Sequence, residues 1–189
     1  MNVLVLDEPS SNYPRLFEGD NVTSDTAFSV VFSPTKLVRN SQLIVFTGGD
    51  DIGVDKTRDH AESAVFRRAV AAGIKTLGIC RGAQLLHVLN GGELEQHVEG
   101  HQQGHSIRTS TGRRVPVTST HHQMMKEDTT IDGELLAWAS VVGQRDPEVV
   151  YYRKTGSLCV QFHPEMAEQG SPCRRYFNSL LKKFMLGEL

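Results

Sequence analysis

Cysteine is scarce in this chain, with three residues, Cys80, Cys159 and Cys173, in 189. An odd number at long spacings argues against a disulfide framework, and without a Cys-x-x-Cys pair there is no zinc-finger signature. Long apolar runs are missing too, and none approaches the ~18 residues that mark a membrane span. No basic region precedes the short apolar stretch of "MNVLVLDEPS", so no secretory leader is expected. Neither sign of charge dominates: 20 basic and 22 acidic residues give a net charge of -2, which offers no electrostatic footprint for nucleic acid or a membrane surface. Repeats, low-complexity tracts and linkers are absent. A single domain over 1–189 in a reducing cytoplasm is the expectation.

What is present is a strand–helix rhythm. "NVLVL" (2–6), "AFSVVF" (27–32), "LIVF" (43–46) and "TLGI" (76–79) are short apolar runs bounded by turn residues. Runs this apolar fit strands covered on both faces, as in a parallel sheet. Asp59, with Glu62 three residues on, reads as the N-cap of a helix carrying Val65, Phe66, Ala69 and Val70 and stopped by Gly73. A second helix is expected over 83–89, ending at "NGG". The second half reads instead as hairpins, with turns at Thr111-Gly112, Asp146-Pro147 and Thr155-Gly156. In the last segment, Tyr176, Phe177, Leu180, Leu181 and Phe184 share one helical face. The expected fold class is α/β, a doubly wound, mostly parallel sheet with appended antiparallel hairpins.

One stretch carries chemistry. In "GICRGAQ" (78–84), Cys80 stands where a strand hands over to a helix, with Gly78 and Gly82 on either side. A nucleophile exposed at such a turn needs a strained backbone and neighbours without side chains. The helix N-terminus favours a thiolate there. A buried cysteine beside a glycine-rich turn is the competing reading. A thiolate also needs a base, and the base an orienting group. "VQFHPE" supplies both in His163 and Glu165, two apart, so that in extended chain they point to one side. Alone, that stretch reads as an exposed turn; the two motifs together favour a nucleophile and its base.

The two motifs, with "FTGGDDIG", "RDHAE", "STHHQ" and the order in which they occur, resemble the class I glutamine amidotransferase superfamily with a Cys-His-Glu triad, from about Leu43 to Met166. The resemblance implies a flavodoxin-like fold, with Cys80 as nucleophile, His163 as base and Glu165 as its partner. It implies backbone N–H groups of Gly49 and Arg81 as the oxyanion hole. It places Gln84, His121, His122 and Gln123 against a bound γ-glutamyl group, and it requires no metal and no organic cofactor.

"ICRG", "GGDDIG" and "RDHAE" resemble most the γ-glutamyl hydrolase-like branch, of the peptidase C26 or γ-glutamyl-aminobutyrate hydrolase type. The implied activity is hydrolysis of a small γ-glutamyl conjugate. The alternatives are a glutaminase subunit feeding ammonia to a separate synthetase partner, and a non-catalytic α/β binding module. Arg81 stands ready to lower the thiol pKa, to meet an anionic leaving group, or to pair with Asp51, Asp59 or Glu62.

His97, His101 and His105 fall four apart, but Gly100 and Gly104 interrupt a helix and no nearby carboxylate or cysteine completes a ligand set. No metal site is expected there; a loop at the site mouth is, with His101 or His105 meeting the far part of a substrate. The polar segment 8–25 reads as a lid, and Cys159, Cys173 and Trp138 as packing residues.

Overall fold

The computed structural model describes residues 3–6, 12–17, 28–30, 41–128, 130–140 and 145–189. Four parallel strands come first: β1 (Val3–Leu6), β2 (Phe28–Val30), β3 (Leu43–Phe46) and β4 (Lys75–Ile79). The flanks expected in strand at Asn2, Ala27, Val31 and Phe32 lie outside the described residues, as does most of the expected lid. Helix α1 (Lys56–Ala71) connects β3 to β4, and α2 (Arg81–Leu89) follows β4 directly. After these come β5 (Leu94–Glu95), β6 (His105–Thr109), β7 (Arg114–Val117) and β8 (Met124–Met125). The chain closes with β9 (Glu134–Ala139), β10 (Asp146–Tyr152), β11 (Ser157–Val160) and helix α3 (Pro172–Leu186).

Among the described residues, nine strands form one sheet in the order β2-β1-β3-β4-β11-β10-β9-β6-β7, and β5 pairs with β8 separately. Pairing is parallel from β2 to β11 and antiparallel from β11 to β7. The class is therefore α/β as expected, and the hairpins continue the parallel sheet as its second half.

The buried alternation in the strands explains the layers. In β3, Leu43 and Val45 face the cluster that holds Phe177, Leu180, Leu181 and Phe184 of α3. Ile44 and Phe46 face the cluster of Val65, Phe66 and Ala69 from α1 and Leu85 and Leu86 from α2. Period-2 chain buried on both faces gives the continuous apolar runs of the sequence.

Two local expectations change. The N-cap of α1 is Asp55, whose side chain accepts the Arg58 N–H at 3.0 Å. Asp59 sits inside the first turn, because its carboxylate serves Arg81 and the Gly53 N–H. Asp146 and Pro147 open strand β10 rather than forming a turn, and Pro147 lies where the pairing with β9 is irregular. A residue without an N–H is tolerated at such a place. The turns at Thr111-Gly112 and Thr155-Gly156 are present, with Gly112 at φ 82 and Gly156 at φ 62. Among the described residues, no helix is long and apolar enough to cross a membrane.

Candidate active site

Parallel register brings the ends of three strands together. Phe46 pairs with Gly78, and Val160 with Ile79. Thr47–Gly48, Cys80 and Gln161–His163 therefore leave the sheet at one edge, the carboxyl edge where α/β sheets bind ligands. Cys80 has φ 51 and is the non-glycine residue with positive φ among those described. It caps α2, its N–H donates to Val160 O at 2.8 Å, and 8% of its surface is exposed. The glycines around it are required by close approach: a Cβ on Gly78 would lie 2.4 Å from Gly82 O, and one on Gly82 would lie 2.1 Å from Phe46 O. Strain at Cys80 persists because strand, helix and both glycines over-determine the turn. Cys159 and Cys173 are buried, and burial pushes both thiols up, which marks them as inert packing residues.

His163 caps a 3-10 turn, Pro164–Met166, and its Nδ1 meets Glu165 Oε1 at 2.5 Å. The pair forms through this turn and not through extended chain. His163 Nε2 is buried without a hydrogen bond among the described residues, and the Cys80 thiol lies near enough to favour the charged ring electrostatically. Burial disfavours the imidazolium, but the thiol and the carboxylate outweigh it and raise the pKa to about 10. Distant structure holds the turn in place. Arg174 of α3 donates from Nη1 to Pro164 O at 3.0 Å and from Nη2 to Arg15 O at 2.5 Å. It so ties the His163–Glu165 turn to the 3-10 turn Tyr13–Phe17.

Tyr13, which the sequence did not single out, completes this corner. Its hydroxyl accepts the Gly48 N–H at 2.8 Å. Burial first, then the nearby Glu165 and Cys80, push its pKa above the usual phenol range. Of the glycine pair, Gly48 is the closer to the thiol: a Cβ there would come 3.3 Å from His163 Cε1 and 3.8 Å from Cys80 Cβ. Gly49, the expected oxyanion donor, follows at φ 147 with Arg58 against its α-carbon.

Arg81 resolves into one of its expected roles. Its side chain is buried and pairs with Asp59 and, at 2.5 Å, with Glu62. Glu62 also accepts from Arg58 Nε at 2.9 Å, and Arg58 Nη2 donates to Gly48 O at 3.0 Å. "RDHAE" and "GGDDIG" thus meet around the arginine that follows the cysteine. Asp51 is not its partner; it faces His122 Nε2 at 3.0 Å.

The remaining expected contacts divide. Gln84 is buried and donates to Gln123 O at 2.7 Å, joining α2 to the 121–123 segment. His121 is buried and turned towards Glu148, His122 is exposed, and Gln123 donates to Gln96 Oε1 at 2.7 Å. His101 is buried and His105 is half-buried. Both pack on the carboxylate of Glu148, which lies in β10 far along the chain. Trp138 is half-buried on the outer strands with Arg145 stacked 4.5 Å from its ring centre.

A family model for Peptidase C26 matches residues 47–133. A Mycobacterium tuberculosis protein, provisionally named a glutamine amidotransferase, is 33% identical over 57% of this chain and 41% of its own length. The carbamoyl phosphate synthase small chain of Fusobacterium nucleatum is 27% identical over 69% of this chain and 37% of its own length. The chain thus spans about two fifths of each of these relatives. A glutamine amidotransferase structure from Thermotoga maritima shares the fold, with a TM-score of 0.72 at 14% identity over 97% of both chains. By these likenesses the chain resembles the class I glutamine amidotransferase superfamily. Over residues 47–133 the likeness is to the Peptidase C26 branch.

Proposed function

We propose that this chain is a thiol hydrolase that cleaves the γ-glutamyl amide bond of a small γ-glutamyl conjugate, releasing glutamate and an amine. The observation that carries the reading is the corner of Cys80, His163 and Glu165: a strained cysteine at a helix N-terminus, beside a histidine whose Nδ1 is held by a carboxylate at 2.5 Å. Cys80 sulfur attacks the side-chain amide carbon. The oxyanion is received by the backbone N–H groups of Gly49 and Arg81. Gly48 is not used, since its N–H is engaged by Tyr13. The C–N bond then breaks. His163, kept charged by its two neighbours, gives its proton to the leaving amine and then takes one from the water that cleaves the thioester. Glu165 holds the ring throughout. Gln84 and the 121–123 segment border the γ-glutamyl group. The buried pairing of Arg81 keeps its guanidinium on α1, so its part in the chemistry is its main chain.

The relative among carbamoyl phosphate synthase small chains favours a second reading, a glutaminase that passes ammonia to a separate synthetase. One experiment separates the two. The purified chain is given glutamine and a panel of γ-glutamyl conjugates, and glutamate is measured. Release from a conjugate with little from glutamine is the expected result. Glutamine turnover that appears only with a second protein would establish the glutaminase. No release from any compound, with a thiol inert to alkylation, would leave a binding module. Cys80→Ser is expected to lower release by on the order of 10⁴-fold or more with an unchanged circular dichroism spectrum; undiminished turnover refutes the nucleophile.

A further inference from the structure

Glu148 is fully buried, and a carboxylate removed from water needs a cation or several donors. Around its Oε1 stand three histidines: His105 Nε2 at 2.7 Å, His101 Nδ1 at 3.3 Å and His121 Nε2 at 3.7 Å. His101 Nδ1, His121 Nε2 and Glu148 Oε2 are buried and make no hydrogen bond among the described residues.

The opposite ring nitrogens decide what these atoms are. His101 Nε2 faces Asp146 Oδ2 at 3.2 Å, and His121 Nδ1 faces Gln123 O at 3.0 Å. A carboxylate and a carbonyl accept only, so those nitrogens carry the hydrogens. In the neutral rings His101 Nδ1 and His121 Nε2 then present lone pairs to an anionic carboxylate. That arrangement repels unless a positive charge sits between them. A histidine whose outer N–H is held by a carboxylate or carbonyl, with its inner nitrogen turned to a common point, is the arrangement of a metal-ligating imidazole.

We propose that His101, His121 and Glu148 bind a divalent transition-metal ion, zinc by the chemistry of the donor set. Their ligand atoms all lie within 4.8 Å of one another. A tetrahedral ion with bonds near 2.1 Å separates its ligands by about 3.4 Å, which the 3.3 and 3.7 Å from Glu148 Oε1 approach. Two imidazoles and one carboxylate leave a fourth position for water. His105 donates to the ligating carboxylate, and Asp146 orients His101. The ion would also brace the active-site wall, because Gln123 O receives both His121 Nδ1 and Gln84 Nε2. The alternative occupant is protons, which would place at least two imidazoliums in the interior against their desolvation cost.

The test reads metal, not turnover, so it succeeds or fails apart from the γ-glutamyl reading. The full chain is stripped with a chelator, checked for folding by circular dichroism, given zinc alone, desalted and analysed by elemental mass spectrometry and melting. About one equivalent per chain and a melting temperature that rises with free zinc are expected. X-ray absorption of the loaded chain should show only nitrogen and oxygen ligands. Glu148→Gln and His101→Gln should lose the ion, Asp146→Asn should weaken it by roughly 10–100-fold, and His97→Ala should keep it. A folded wild-type chain that takes up no zinc overturns the proposal and leaves the protonated cluster. A sulfur ligand, or uptake unchanged in Glu148→Gln and His101→Gln, overturns it as well. Should those variants fail to fold, the stoichiometry and ligand shell of the wild-type chain still decide.

Discussion

His163 and Tyr13 hold the chemistry together from opposite ends of the chain, and each carries a measurable consequence. The imidazole of His163 binds its proton more tightly in the folded chain, with a pKa of about 10 against an ordinary 6.5. Its stabilising contribution is therefore fully present below pH 6.5 and is lost as pH rises through about 10. The melting difference between wild type and His163→Gln should be largest at pH 6.5 and shrink steadily towards pH 10. A difference that grows over that window would contradict the pairing with Cys80 and Glu165. Tyr13→Phe leaves the Gly48 N–H without its acceptor. The bond is only part-buried, so the loss should fall at or below the low end of the about 1–3 kcal/mol that a buried unsatisfied donor costs, to be read from urea denaturation. Glutamate release should also fall, since Gly48 adjoins the proposed oxyanion donor.

At the scale of elements, the turn from β4 into α2 is fixed by what its neighbours lack and what its arginine finds. Gly78 and Gly82 let the two backbones and β3 approach, and Arg81 locks the start of α2 to α1 through Asp59 and Glu62. Arg81→Met would leave Glu62 with only Arg58 at its side. Breaking a buried pair from one partner typically costs about 3–5 kcal/mol; a loss near the upper end is not expected, because Asp59 retains some exposure. Denaturant unfolding checks this, and an unchanged midpoint would show that the pair adds nothing. The N-cap of α1 illustrates how such a network defeats local reading. Asp59 has a sequence fit for a cap, yet a buried arginine from another helix claims its carboxylate, and Asp55 caps instead.

Across the whole molecule, one sheet carries both the parallel and the antiparallel halves, and α3 spans the join through its apolar face. Arg174 adds a polar tie from α3 to the turns that bear Tyr13 and Glu165. We propose that 1–189 forms one domain, which should then unfold in a single transition, with calorimetric and van't Hoff enthalpies in agreement. Two resolved transitions would speak against it.

The sequence by itself determined the features whose cause is local. Apolar runs buried on both faces made the strands, glycines two residues either side of Cys80 made its turn, and a histidine two residues before a glutamate made their contact. Short-range spacing brings these residues together because the chain geometry links them directly, and distant groups such as Arg174 and β3 then hold the turns in place. Only the tertiary structure decided which carboxylates Arg81 meets, that Tyr13 closes the corner behind Cys80, and that Glu148 gathers three histidines. These partners lie far apart along the chain, and it is strand order and register that bring them to one place. A histidine in a glycine-rich loop carries no mark of the buried glutamate it will face.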